Sequence, residues 1–334
     1  MAAVTGSQTG PEPLARPGTG ALELTHVTKR YTGHLAVDNL SLSVPRGSIY
    51  GILGPNGAGK STTLRMVMNI IGCDSGVIRV LGSDPAADRS VLRRVGYLPE
   101  ERGLYRKMCA IDIIVFFAAL HGMRESTARA QGIRWLERMG LAEWQRAKVE
   151  VLSKGMQQKL QFITTVIHQP ELLLLDEPGS GLDPVNQEVL RETIEGARRE
   201  GCTVVFSTHN MGQAEQLCDS VCIIARGRAV LDGPLLEIKR RYSGHRYRLG
   251  FESVTPGVLG LMDSGALGDA RRVGDDWELD LPSPHAVGRV LAALASADVQ
   301  VARFERVRPS LHEIFVASVG DAGPDTSQPE TARA

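Results

Sequence analysis

The segment Gly54-Pro55-Asn56-Gly57-Ala58-Gly59-Lys60-Ser61 packs three glycines between an apolar strand-like run, Ser48 to Leu53, and a helical pattern in which Leu64, Val67, Met68 and Ile71 share one face. A strand that turns through glycines into a helix is half of a crossover, and a crossover needs a parallel sheet to return to. The apolar run Leu172 to Leu175 and the stretch Thr203 to Ser207, separated by the helical pattern Pro184 to Glu200, supply further strands. The fold class is therefore α/β. At 334 residues the chain is long enough for two domains of roughly 150 residues each.

The rest of the chain fills in around that unit. Leu22 to Val27 and Leu40 to Val44 alternate with period two around the turn Tyr31-Thr32-Gly33-His34, so an antiparallel β portion precedes the glycine loop. Residues 100–152 are helical by pattern, with helices expected over Ala110 to His121 and Thr127 to Met139, and form an insertion within the α/β layers. The pattern breaks near Lys239-Arg240-Arg241-Tyr242-Ser243-Gly244. Beyond it, strand-like Tyr247 to Phe251, Asp276 to Leu281 and Val299 to Val307 interleave with helical stretches around Val258, Ala286 to Ala297 and Leu311 to Val319, the mark of a small α+β domain. The expected organisation is a flexible tail over 1–20, an α/β domain over 21–242, an accessory domain over 243–319 and a disordered tail over 320–334.

Composition narrows the partners. Lys and Arg total 38 against 38 Asp and Glu, so the net charge is zero and no basic footprint for nucleic acid is present. The cluster Lys239, Arg240, Arg241, Arg246 and Arg248 reads as a solvated helix end, because apolar anchors for a lipid surface are sparse around it. Five cysteines without CxxC spacing argue for reduced thiols rather than disulfides or zinc. The longest apolar segment, Ile111 to Leu120, is interrupted by Asp112 and is too short to cross a bilayer. A membrane role would come through a partner.

The chemistry converges on phosphate. Glycines let successive backbone N–H groups curl around phosphate oxygens, and the following helix N-terminus adds a favourable dipole. Gly54-x-x-x-x-Gly59-Lys60-Ser61 therefore reads as a phosphate loop, with Lys60 reaching the β- and γ-phosphates and Ser61 completing a Mg²⁺ shell beside Thr62. Leu172 to Leu175 ends in Asp176-Glu177-Pro178, a buried strand delivering two carboxylates at its carboxyl end, where open α/β sheets bind ligands. Asp176 is the candidate metal residue and Glu177 the candidate general base. Thr203 to Ser207 ends in Thr208-His209, which puts an imidazole at the same edge.

Between these elements lies Leu152-Ser153-Lys154-Gly155-Met156-Gln157-Gln158, just before a helix, and Ser180-Gly181-Leu182-Asp183 follows the acidic pair. The ordered set resembles the nucleotide-binding subunit of an ATP-binding cassette (ABC) transporter over about residues 22–240, with LSKGM where LSGGQ is usual. The resemblance implies ATP and Mg²⁺ as cofactors, a P-loop cassette with an antiparallel β portion and a helical subdomain, Tyr31 stacking on adenine, and Ser153 and Gly155 contacting a γ-phosphate. It also places Glu100 where the family has a metal-facing glutamine, after Gly96-Tyr97-Leu98-Pro99. LPEERGLY from Leu98 and PSLHEIF from Pro309 resemble the sodium- and drug-export branch.

In that family the phosphate loop of one subunit and the signature of another sandwich each ATP. The resemblance therefore implies a second cassette subunit, in a homodimer, and a multi-span permease that Arg102, Leu104 and Tyr105 help to dock. It places the chain in the cytoplasm, peripheral on the inner face of the membrane, as an ATP hydrolase driving export. The alternative is a soluble ABC-type switch acting on ribosomes or DNA, and a small-molecule kinase would leave LSKGM without a purpose.

Overall fold

The computed structural model describes residues 20–320 apart from 102, 266, 284 and 298. The expected tails thus lie outside the described residues, except for Gly20 and Gly320, and so does Arg102. There are two compact units, one running to Leu235 and the other Leu236–Gly320.

The first unit opens with β1 (Leu22–Tyr31) and β2 (His34–Val44), an antiparallel hairpin. Then come β3 (Ile49–Leu53), α1 (Lys60–Val67), β4 (Ser75–Val80) and β5 (Val95–Leu98). β4 returns to β1, completing a three-stranded antiparallel sheet in the order β2-β1-β4. The helical insertion carries α2 (Ala110–Leu120) and α3 (Glu125–Arg138), and α4 (Lys154–Val166) leads back to β6 (Leu172–Asp176). α5 (Pro184–Arg199), β7 (Thr203–Thr208), α6 (Met211–Leu217), β8 (Ser220–Ala225) and β9 (Arg228–Pro234) finish the unit. Its larger sheet runs β5-β6-β7-β3-β8-β9 and is parallel except for β9.

The burial explains the sequence. Every residue of β3, β6 and β7 is buried, as expected for parallel strands covered on both faces. Leu24, Leu40 and Val80 of the small sheet share one core with Ile52, Leu64, Leu174 and Val205. α1 is shorter than its apolar face suggests: Asn69 turns to φ +50°, and Ile71 packs on the core from beyond the helix.

The strand order puts β6, β7 and β3 side by side. The segments leaving their carboxyl ends are 54–61, 176–177 and 208–209, so three loops far apart in sequence meet at one edge of the sheet.

The helix α7 (Leu235–Tyr242), which sequence reading gives to the α/β domain, belongs to the second unit in all but its first residue. Its end is held within the second unit: Tyr242 Oη hydrogen-bonds Ser318 Oγ at 3.0 Å, and Arg306 donates to the Ser243 and Gly244 carbonyls at 2.9 and 3.0 Å. β10 (Arg246–Phe251), α8 (Pro256–Asp263), β11 (Asp269–Val273), β12 (Asp276–Asp280), α9 (Ala286–Ser296) and β13 (Val301–Arg306) follow, before α10 (Leu311–Gly320). The antiparallel order β11-β12-β10-β13 makes β10 to β13 a split βαβ, or ferredoxin-like, arrangement. Leu249, Leu279, Val290 and Leu294 form its core, while Arg248 and Glu278 pair at 3.1 Å outside it.

Candidate functional site

Gly59 shows why the loop needs its glycines. Its φ is +106°, and a Cβ there would lie 2.4 Å from the Ala36 carbonyl oxygen, so any side chain would force the loop off β2. Lys60 folds back inside this turn and donates to the carbonyls of Gly54 and Pro55 at 2.8 and 3.1 Å. Its Nζ lies 3.4 Å from Glu177 Oε1, with both side chains under a tenth exposed.

The acidic pair is held from below by β7. Ser207 Oγ donates to Asp176 Oδ1 at 2.5 Å, and Ser61 Oγ donates to the same oxygen at 3.0 Å. The backbone N–H of Glu177 donates to Ser207 at 3.1 Å, which fixes Glu177 at φ +47°, a left-handed conformation that costs a side-chain-bearing residue about 1–2 kcal/mol. His209 Nδ1 sits 3.1 Å from both Glu177 oxygens, with its ring 58 % exposed. Glu177 is thus gripped by a buried cation on one side and an exposed imidazole on the other.

Asp176 Oδ2 is buried and has no hydrogen-bond partner. An orphaned carboxylate oxygen beside a serine hydroxyl suits a hard divalent cation and its water shell, so the donor set Ser61 and Asp176 fits Mg²⁺. Burial and the charge of Asp176 push the nearby Tyr97 phenol above its ordinary value, which keeps it protonated. Burial also raises the Cys218 and Cys222 thiols of the neighbouring strand region, leaving them inert.

Above these groups opens a cleft of about 440 Å³, walled by Tyr31, Lys60, Ser61, Thr62, Glu100 and Glu177. A second cleft of about 420 Å³ shares Glu100 and Glu177 and adds Asp176, Gln158 and Gln161. Tyr31, the loop, Glu100, Asp176, Glu177 and His209 therefore belong to one region. Ser153 and Gly155 line neither cleft. Ser153 instead caps α4, its Oγ accepting from the Met156 N–H at 3.3 Å, which leaves the signature at an exposed helix start.

Two sequence profiles match: ABC transporter over residues 37–180, and the C-terminal domain of DrrA1-3-like ATP-binding proteins over residues 233–319. The ABC transporter ATP-binding protein YhaQ of Bacillus subtilis strain 168 is 38% identical, with the alignment covering 90% of this chain and 98% of YhaQ. The chain belongs to the ABC transporter ATP-binding proteins. Like others of this family it is an ATPase subunit. The daunorubicin/doxorubicin resistance ATP-binding protein DrrA of Streptomyces peucetius is 31% identical over 94% of this chain and 97% of its own length. A solved ATP-binding subunit of an ABC transporter superposes with a TM-score of 0.63 at 29% identity, covering 66% of this chain and 93% of that one. These relatives do not favour the alternative of a switch acting on ribosomes or DNA.

Two residues that sequence reading passes over brace these groups. Ser207 is the buried hydroxyl that donates to the Asp176 carboxylate and accepts from the Glu177 N–H; its only signal is a serine beside Thr208 at the end of a buried strand. Gly227 lies in the β8–β9 hairpin, donates to the Ala58 carbonyl at 3.1 Å and accepts from the Asp38 N–H at 2.9 Å, tying the phosphate loop to β2.

Proposed function

We propose that the chain binds MgATP in the Lys60–Glu177 cleft, hydrolyses it at the face of a dimer of cassettes, and so drives export through a separate membrane permease. The observation that carries this reading is the ion pair between Lys60 and Glu177, flanked by Asp176 and His209 at one sheet edge. Without nucleotide the lysine neutralises the glutamate. Phosphate oxygens compete for that ammonium, and as Lys60 turns to them Glu177 becomes free to take a proton from the attacking water. His209 stays on Glu177 and orients it.

Ser61 and Asp176 hold Mg²⁺ in this reading, with Glu100 at its outer waters, and the metal supplies charge neutralisation for the phosphates. Tyr31, 44 % exposed at the end of β1 beside Lys29, offers its ring to the base. Ser153 and Gly155, which do not reach the cleft of their own chain, fit a γ-phosphate held by a second copy, and this is what calls for a dimer. Among the described residues no helix is long and apolar enough to cross a membrane, so transport needs a membrane partner. Tyr105, exposed and stacked edge-on against Phe116 at 5.5 Å, and Leu104 belong to the surface proposed to receive it. Export, rather than import, is supported by the DrrA-like C-terminal profile and by the resistance named for DrrA.

The test pairs two variants. Glu177→Gln is expected to keep ATP affinity while turnover falls by about 10²–10⁴-fold, and Lys60→Ala to lose both. Wild-type turnover by purified Glu177→Gln would remove Glu177 as the base.

A further inference from the structure

We propose that a slot between α3 and α5, at the opposite edge of the parallel sheet from the phosphate loop, binds a planar aromatic anion. The slot is a cleft of about 840 Å³, within the range of sites for drug-sized ligands. Pro170 and Glu171, which precede β6, and Gly201 and Cys202, which precede β7, border it. It thus sits at the amino ends of strands whose carboxyl ends carry Asp176, Glu177 and His209, and nothing in the nucleotide reading uses it.

Small residues open it. α5 presents Gly196 and Ala197 to the cleft, where longer side chains would fill the space, and the floor is buried and apolar at Val166 and Leu173. The Cys202 thiol in that floor is pushed up to about 12 by burial, so it stays neutral. On the facing wall the Arg138 guanidinium lies 5.0 Å from the Trp135 ring centroid. Arg138 Nη2 would be 3.5 Å from a Cβ on Gly196, so the guanidinium, packed over the indole, reaches across the slot to the α5 backbone and closes one end of it.

Charge selects the anion. Arg134 and Arg138 both line the slot, and among the described residues neither guanidinium has a carboxylate partner. Of the two acids on the border, Glu171 is committed to Arg94 at 2.5 Å, and Glu200 is the residue that ends α5. An acidic group placed toward α3 meets two unpaired cations, while the ring packs on the apolar floor of Val166 and Leu173. A ligand wedged here bridges the helical insertion and the helix that follows the acidic pair.

The probe is anilinonaphthalene sulfonate, a planar aromatic anion whose fluorescence rises on leaving water, titrated into the full chain with and without saturating MgATP. Saturable one-to-one binding that MgATP does not displace is expected. Arg138→Ala, an exposed position that leaves the core intact, should weaken it by about fivefold or more, and Gly196→Leu should abolish it by filling the slot. Both variants must bind ATP like wild type, which certifies their folding; if Gly196→Leu fails this, Arg138→Ala together with Arg134→Ala decides. Uncharged phenylnaphthylamine should bind much more weakly. Displacement by MgATP, equal affinity of the arginine variants and wild type, or equal binding of the neutral analogue would each overturn the proposal.

Discussion

The two sheets treat their charges in opposite ways. In the first unit β6 buries Leu172 to Leu175 and ends on Asp176, whose Oδ2 is shut away from water with no hydrogen-bond partner. In the second unit Glu278 of β12 gives one oxygen to Arg248 at 3.1 Å and the other to Arg271 at 3.2 Å, and that pairing holds its carboxyl below the usual range. One sheet stores an unmet demand for a cation, and the other has met it. The difference separates a sheet built to receive a ligand from one whose surface is settled by cross-strand pairs.

The contrast can be broken at its strongest point first. Leu174→Ala removes a fully buried side chain from the parallel sheet and should cost about 2–5 kcal/mol in urea unfolding, whereas Glu305→Ala on exposed β13 should stay within about 0.5 kcal/mol. Equal losses would erase the distinction between the sheets. Asp176→Asn comes next. It keeps shape and removes a buried negative charge, so hydrolysis should fall by roughly 10²-fold while stability holds or rises; a parallel loss of both would mean that Asp176 is a structural residue.

A smaller effect concerns the joint between the helical insertion and the parallel sheet. His168 stacks on His121 with ring centroids 3.6 Å apart, and burial first, then the His121 charge, lower it to about 4. The folded protein therefore prefers His168 neutral, and the unfolded chain binds the extra proton between its ordinary 6.5 and about 4. Stability from this site is complete above pH 6.5 and is lost as pH falls toward 4, by on the order of 1–2 kcal/mol once solvent screening is allowed for. His168→Phe keeps a stacked ring without the titration, so its urea midpoint should change less between pH 7.5 and 5. Smallest of all, Glu278→Gln should cost about 0.2–1 kcal/mol, and the difference should vanish in high salt.

What was legible in the sequence follows the same divide. The phosphate loop could be read residue by residue because Gly54, Gly59 and Lys60 answer to local backbone chemistry, and Leu172 to Asp176 because a strand buried on both faces leaves an unbroken apolar run. β11, Asp269-Ala-Arg-Arg-Val273, left no such mark: it is an edge strand with mostly exposed residues, so burial imposes no alternation on it. Ser207 and Gly227 escaped notice for another reason. Their importance lies in what they touch, a carboxylate 31 positions away and the Ala58 carbonyl, and no local pattern encodes such a contact.

Gly227 has a mechanical consequence. By joining the Ala58 carbonyl to the Asp38 N–H, it fastens the phosphate loop to the strand that begins three residues after Tyr31. The aromatic at the hairpin tip and the glycine cradle are then two jaws of one rigid calliper, with their spacing set before any ligand arrives. Such a gauge measures length. In the proposed function it admits a molecule whose flat ring and terminal phosphates stand the right distance apart, and a shorter one would grip only a single jaw.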